Sequence, residues 1–119
     1  MGDSPESASR PRSAFAEQRT VPRYSFIAAV ELTEPLADVR ISGRISEISR
    51  KGCFVDIMNA LPVGTLVQVR VVRDQGILTC PGKIVYAQEP MGMGIAFVDP
   101  AADQQAMLDK WVAELTAEV

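Results

Sequence analysis

The 119-residue sequence contains no histidine. Histidine is the commonest general base and metal ligand near neutral pH, and without it the usual nucleophile–base pairs cannot be assembled. The two cysteines, Cys53 and Cys80, lie in apolar segments without a CxxC spacing. We therefore expect small buried thiols rather than a redox or metal site. The sequence predicts no catalytic residue, no bound metal and no cofactor, and so no enzyme.

An excess of positive charge and long apolar runs are also missing. Twelve basic residues face fifteen acidic ones, for a formal net charge of −3. This balance gives no general attraction for DNA or RNA, so any anion site must be local. No apolar run has the length of a membrane-spanning helix, and the N-terminus has no signal-peptide segment. We expect a cytoplasmic protein that does not insert into membranes.

The chain is long enough for one domain with one core. Residues 1–18, which are rich in Ser, Pro, Ala and charge, are predicted to form a flexible tail, and residues 19–118 the domain. Between residues 23 and 98, six short apolar segments separated by turn signals predict antiparallel strands. Closing such a sheet removes its exposed edges. The fold class is therefore all-β, a six-stranded antiparallel barrel with one C-terminal helix. The segments cover residues 24–32, 39–49, 52–57, 65–72, 76–87 and 92–98.

The end of the chain predicts a helix over residues 100–117. Asp99 is suited to the N-cap and Pro100 to the first helical position. Apolar residues then recur at i, i+3, i+4 and i+7, which predicts a face packed on the barrel. Trp111 belongs to that face, so we interpret it as a packing residue rather than a platform for a ligand. The four residues are Leu108, Trp111, Val112 and Leu115.

The strand alternation slips within ISGRISEIS. Ile45 and the next apolar residue, Ile48, lie three positions apart, so in a regular strand they would face opposite sides. Such a slip is typical of a bulge or a strand end, and these features often redirect side chains at functional sites. We expect the irregularity beside Glu47, Ser49 and Gly52.

Two arginines stand four residues apart in RTVPR. Because Pro22 disfavours the helical conformation in Val21, an extended segment is favoured there. In an extended segment Arg19 and Arg23 project to the same side, about 13 Å apart. They are therefore placed to bind one anionic ligand. The competing interpretation is two exposed charges at a domain edge that pair weakly with Glu17 or with nothing.

The segment EISRKG, residues 47–52, follows RTVPR further along the chain. Together they resemble the two-part signature of the PilZ family, RxxxR followed by (Asp/Asn)xSxxG. GCFVDI, LPVGTLVQVRV, GKIVYA and GMGIAFVD also look like PilZ strand sequences in the family's order. The resemblance covers about residues 19–99, and the C-terminal helix fits too. It implies the small barrel and the family's ligand, the bacterial second messenger cyclic di-GMP.

The resemblance also implies roles for individual residues. Arg19 and Arg23 match the family's arginines, whose planar donors suit phosphate oxygens and the O6/N7 edge of guanine. Glu47, in the place of Asp or Asn, keeps an acceptor for guanine N–H groups. Ser49 would donate or accept a hydroxyl hydrogen bond, and Gly52 would keep the turn shaped and allow close approach to the backbone.

The sequence departs from the family pattern at two positions. Glu47 places its acceptor one methylene further out than Asp would, and Gln18 stands where many members carry an additional arginine. Arg44, Arg50 and Lys51 lie close to the second motif. A charge cluster on a turn is more often a solvated face, so we assign these three no contact with a ligand.

Three functions follow as alternatives. The first is a stand-alone receptor that binds cyclic di-GMP and signals through a conformational change to a protein partner, for example of the motility or pilus machinery. The second is a PilZ-like protein–protein adaptor that does not bind nucleotide, which Glu47 and Gln18 favour. The third is a small barrel for single-stranded nucleic acid, opposed by the aromatic content of 6% and the negative net charge.

Overall fold

The computed structural model describes residues 22–73 and 76–117, so Arg19 and the predicted tail over residues 1–18 lie outside the described residues. Within these ranges the chain forms six strands followed by one helix. The strands are β1 (Tyr24–Glu34), β2 (Val39–Ile48), β3 (Gly52–Asp56), β4 (Leu66–Arg73), β5 (Gly76–Gln88) and β6 (Gly92–Phe97), and the helix is α1 (Ala102–Ala117). All six predicted strands are present.

The strands form a closed antiparallel barrel in the order β1-β2-β3-β6-β5-β4. Pairing of β4 with β1 completes the closure. Each strand therefore has a hydrogen-bonded neighbour on both sides, and no open sheet edge remains among these six strands. The predicted fold class, a six-stranded barrel with a C-terminal helix, is confirmed.

Regular alternation fills the inside of the barrel. In β4 the side chains of Val67, Val69 and Val71 are buried, whereas Gln68 and Arg70 between them are exposed. The other strands add inward-facing aliphatic residues to the same core. Burial of this apolar surface is the main stabilising contribution to the barrel.

Helix α1 begins at Ala102, two residues later than the sequence predicts. The backbone N–H of Gln105 donates to the carbonyl of Ala101 at 2.8 Å, so Ala101 rather than Asp99 accepts the first helical hydrogen bond. The chain stays hydrogen-bonded to β5 as far as residue 98 and then turns at Asp99, whose φ is 42°. Asp99 and Pro100 therefore redirect the chain, and their predicted roles as N-cap and first helical residue are wrong.

The apolar face of α1 packs on the barrel as predicted. Trp111 stacks on Phe26 of β1 with ring centroids 5.9 Å apart. The guanidinium carbon of Arg73 lies 5.0 Å from the Phe26 ring centroid and 5.2 Å from that of Trp111. Arg73 Nη1 is also 3.5 Å from Glu114 Oε1. Trp111 is thus a packing residue, and a cation–π cluster joins the helix to β1 and β4.

The predicted slip in β2 is a bulge at Ser46. Ile45 is paired with Val55 of β3, and the next paired residue, Glu47, lies opposite Phe54. The extra residue lets both Ile45 and Ile48 be fully buried while Glu47 remains on the outer surface.

A second bulge lies in β5, where the sequence analysis predicted none. Ile84 is paired with Ile95, and the next pair joins Tyr86 to Gly94, so that Val85 is the extra residue. The bulge turns Tyr86 to the outside of the barrel. The two bulges flank β3 and β6, which are neighbours in the sheet.

Both cysteines are buried free thiols, as predicted. Burial raises the pKa of Cys80 to about 11. Burial, and to a smaller extent the proximity of Cys80, raises the pKa of Cys53 well above its usual range. Within the part of the chain that the structure describes, no helix has the length and apolar character needed to cross a membrane.

Candidate functional site

The two halves of the sequence motif meet at one end of the barrel. Arg23 directly precedes β1, and Glu47 lies near the end of β2, where it is paired with Ser25. Arg23 Nη1 lies 3.4 Å from Glu47 Oε1, and both side chains are partly exposed. The structure thus brings Arg23 and Glu47 together, while Arg19 lies outside the described residues.

Ser49 organises the turn between β2 and β3. Its side chain is buried, and its Oγ accepts hydrogen bonds from the backbone N–H groups of Lys51 and Gly52, both at 3.1 Å. The same Oγ lies 3.3 Å from the carbonyl of Gly52, which also accepts from the Ser49 backbone N–H at 2.8 Å. Ser49 therefore shapes the turn. The hydrogen bond to a ligand stays a prediction.

Gly52 completes this turn as the first residue of β3, where it is paired with Ala96. The turn is tied to β6 by a hydrogen bond of 2.8 Å from Phe97 N–H to the Lys51 carbonyl. Gly52, Ser49, Glu47 and Arg23 line one narrow pocket. Four of the five predicted binding residues are therefore adjacent.

Two aromatic side chains form a floor beside this pocket. On the outer face of β6 stand Gly92 and Gly94, which carry no side chain. The ring of Tyr86 lies across Gly94 so closely that a Cβ there would overlap it. A Cβ at Gly92 would overlap the Phe54 ring and also the backbone carbonyl of Val55. The rings of Phe54 and Tyr86 have centroids 6.0 Å apart and are tilted by 33°. Their contact closes the gap left by the glycines.

Strand register divides the site into two rows on the outside of the barrel. In the first row Glu47, Phe54, Gly94 and Tyr86 are successive cross-strand partners. In the second row, Arg44, Asp56, Gly92 and Gln88 follow one another in the same manner. Residues of both rows line an open groove of about 380 Å³ that reaches from Arg23 to Gln88, namely Glu47, Phe54 and Tyr86 from the first row and Asp56 and Gln88 from the second.

Asp56 is held in place by Arg44. The Nε and Nη2 atoms of Arg44 lie 3.3 and 2.9 Å from Asp56 Oδ2. Arg44 thus has a partner within the protein. Arg50 and Lys51 are exposed on the turn next to Ser49.

Sequence reasoning missed Phe54, Tyr86 and Asp56 as residues of the groove. One signal pointed towards the aromatic pair. The row of small residues on one face of GMGIAFV is typical of a strand covered on both sides, so a large neighbouring side chain must cover it. Nothing local identified Tyr86 as that side chain.

The model of the PilZ domain matches residues 17–114 of this chain. The chain belongs to the PilZ domain family. The matched range includes both arginines of RTVPR, the EISRKG turn and most of α1. No curated protein matches the chain in sequence.

Solved PilZ domains share this fold. The PilZ domain of CeSA from a cellulose-synthesizing bacterium is 24% identical, with a TM-score of 0.65, over 80% of this chain and 98% of that one. The PilZ domain of YcgR from Escherichia coli, solved with c-di-GMP, is 15% identical, with a TM-score of 0.68, over 85% and 93%. The Bacillus subtilis inhibitor of motility, MotI/DgrA, is 15% identical with a TM-score of 0.68, and this PilZ domain spans about half of its length (85% and 52%).

Proposed function

We propose that this PilZ domain is a receptor for cyclic di-GMP and that it has no catalytic activity of its own. The observation that carries the proposal is the ion pair between Arg23 and Glu47, which assembles the two motif halves beside a groove on the barrel surface. The PilZ domain of YcgR, which has the same fold, was solved with this nucleotide. Because the net charge of the protein is −3, an anionic ligand must bind through local cations, and Arg23 is one of these beside the groove.

The groove offers chemistry for each part of the ligand. The guanidinium group of Arg23 presents paired N–H donors that suit a phosphate or the O6/N7 edge of guanine. The rings of Phe54 and Tyr86 present apolar faces on which a purine can stack. Arg19, which precedes this end of the barrel in the chain, supplies a second cation in our proposal.

Titration calorimetry tests the receptor proposal. Cyclic di-GMP is titrated into the wild type, Arg19→Ala and Arg23→Ala at one fixed salt concentration, with Arg40→Ala as the control. Arg40 lies at the other end of β2, where it is paired with Thr33. We expect micromolar or tighter binding by the wild type and the control, and its loss in the other two variants. A folded wild-type protein that releases no heat contradicts the proposal.

We further propose that binding changes the conformation of the segment before β1 and that a protein partner detects this change. Tyr24, the residue after Arg23, has its hydroxyl 3.1 Å from Thr116 Oγ1 on α1. A shift of Arg23 towards the ligand would therefore act on the helix. Amide exchange over residues 10–25 and over α1 should slow when the nucleotide is added. Unchanged exchange in both segments would exclude this route.

One observation favours the alternative of an adaptor that does not bind nucleotide. Glu47 already forms an ion pair with Arg23, so a ligand must compete with Glu47 for that guanidinium group. If this competition prevents binding, calorimetry with the folded wild type gives no heat, and the surface of the barrel serves protein contacts alone.

A further inference from the structure

The second row of the groove holds polar groups that the sequence motif does not include. Asp56 and Gln88 stand on either side of Gly92, and the ring of Phe54 lies over that glycine. A flat apolar ring between a carboxylate and an amide is the arrangement that recognises a nucleobase, because the ring contacts the face of the base and the polar groups contact its edges.

The carboxylate of Asp56 is partly exposed and has acceptor capacity for such a contact. Its side chain is 32% exposed, and both hydrogen bonds from Arg44 go to one oxygen, Oδ2. A carboxylate offers about four acceptor positions on its two oxygens, so Asp56 keeps acceptor capacity after it binds Arg44. A partly exposed ion pair of this kind contributes little to stability.

Guanine suits this position better than adenine does. Its N1–H and its N2 amino group are two adjacent donors, and a carboxylate accepts both. Adenine presents an acceptor at N1, which a carboxylate repels. We propose that one guanine of cyclic di-GMP lies over Phe54 and that Asp56 reads its N1–H and N2 amino donors. Asp56 is then the specificity-determining residue for that base, an inference that depends on the proposed receptor function.

The distance between the rows is compatible with one ligand. Phe54 and Asp56 are two residues apart on β3, so the two rows are separated by about 7 Å at the strand rise per residue. Arg23 and Asp56 line the same groove of about 380 Å³, so a single cyclic dinucleotide bound there can contact both. In this arrangement the phosphates and the first base contact Arg23, and the second base lies over Phe54 with its edge at Asp56.

The test compares two ligands on matched variants. Cyclic di-GMP and 3′,3′-cyclic di-AMP, which has no guanine, are titrated into the wild type, Asp56→Asn and Asp109→Asn. The control removes the same charge from an exposed aspartate on α1, whose partner is Gln105. Asn has the size of Asp, and a thermal melt of each variant checks that it is folded. The quantity compared is the ratio of the two dissociation constants for each protein.

We expect the wild type and Asp109→Asn to prefer cyclic di-GMP by about tenfold or more, since a good bidentate contact discriminates by about that factor. In Asp56→Asn the preference should fall by about tenfold relative to the wild type, because the contact that reads N1–H and the N2 amino group of the second base is weakened, while any preference that Arg23 gives at the first base remains. Removing a negative charge strengthens the attraction for both dianionic ligands alike. The ratio of their dissociation constants therefore reports only the recognition of the base.

The outcomes separate the inference from the function on which it depends. If the wild type binds neither ligand, the receptor proposal fails and this inference fails with it. If the wild type binds in an Arg23-dependent manner but shows no preference, the inference alone is wrong. It is also wrong if Asp56→Asn keeps the wild-type ratio, including the case in which both affinities fall by the same factor.

Discussion

Arg23 Nη1 lies 3.4 Å from Glu47 Oε1, at the point where the arginine motif and the turn motif of the PilZ domain meet. In the family pattern the position of Glu47 carries the shorter Asp or Asn. The longer side chain reaches the arginine that we propose for ligand binding. Under the proposed receptor function, Glu47 would therefore have two opposing effects: it orients Arg23 beside the groove, and it competes with the nucleotide for the same donors.

Glu47→Asp should strengthen binding of cyclic di-GMP. Shortening the side chain by one methylene weakens its contact with Arg23 and releases donors for the phosphate. An exposed ion pair contributes at most about 1 kcal/mol, so we expect a gain of about twofold to fivefold in affinity. Calorimetry measures the gain, and Glu31→Asp on the outer face of β1 is the control. Equal or weaker binding would show that Glu47 does not compete with the ligand.

Ser49→Ala should destabilise the domain. The variant removes the oxygen that accepts hydrogen bonds from Lys51 and Gly52 N–H in a buried turn. Donors left without a partner cost about 1–3 kcal/mol. Urea denaturation should show this loss in the free energy of unfolding, whereas Ser42→Ala, at an exposed position of β2, should change it by less than about 0.5 kcal/mol. A stability equal to that of the wild type would mean that water replaces the hydroxyl.

Gly94→Ala should displace Tyr86 and disrupt the floor of the groove. The three atoms nearest to a Cβ at this position all belong to the Tyr86 ring, and the added Cβ would overlap the nearest of them. Overpacking of this kind costs about 1–3 kcal/mol. Gly76→Ala is the matched control, because its Cβ would meet Met107 at an ordinary 3.6 Å.

A double variant separates the Tyr86 contact from other effects of Gly94→Ala. In a Tyr86→Ala background the overlapping ring is gone, so the added methyl group should have a much smaller effect on the free energy of unfolding. If Gly94→Ala lowers the free energy of unfolding equally in both backgrounds, the clash with Tyr86 is not the reason that a side chain is disfavoured at position 94.

Most of the barrel was predictable because its signals are local. Turn residues separate the six apolar segments, and alternation within TLVQVRVV identifies the buried valines. The bulge at Ser46 was predictable as well, since Ile45 and Ile48 have opposite parity and both are apolar. The bulge at Val85 was not predictable. Val85 and Tyr86 are both large and apolar, so the sequence does not show which of the two faces the core and which faces outwards.

The groove depends on cross-strand register, which no local pattern encodes. Asp56 is a member of the site because it stands opposite Arg44 on one side and Gly92 on the other. Tyr86 is a member because one extra residue shifts the pairing between β5 and β6. The family motif located Arg23, Glu47, Ser49 and Gly52. It carries no information on the second row, whose residues must be read from the assembled sheet.

The buried thiols predict both slow modification and a loss of stability at high pH. Burial raises the pKa of Cys80 to about 11 and raises that of Cys53 as well, so the reactive thiolate is scarce in the folded protein at pH 8. A thiol reagent such as 5,5′-dithiobis(2-nitrobenzoate) should react with both cysteines in urea and with neither in the native state. In the unfolded chain the thiols lose their protons near the ordinary pKa of 9.0. Above that pH the folded state binds more protons, so the free energy of unfolding should fall as the pH rises from about 9 towards 11.

Cys80→Ala and Cys53→Ala provide the matched control for this pH dependence. Each variant removes one titrating thiol, and the fall in the free energy of unfolding over this pH range should become shallower by that thiol's contribution. Replacing a buried thiol with a methyl group leaves the core apolar, so the variants should fold at neutral pH. Fast modification of the native wild type at pH 8, or a pH dependence that neither substitution alters, would show that the two thiols are accessible to solvent in the folded barrel.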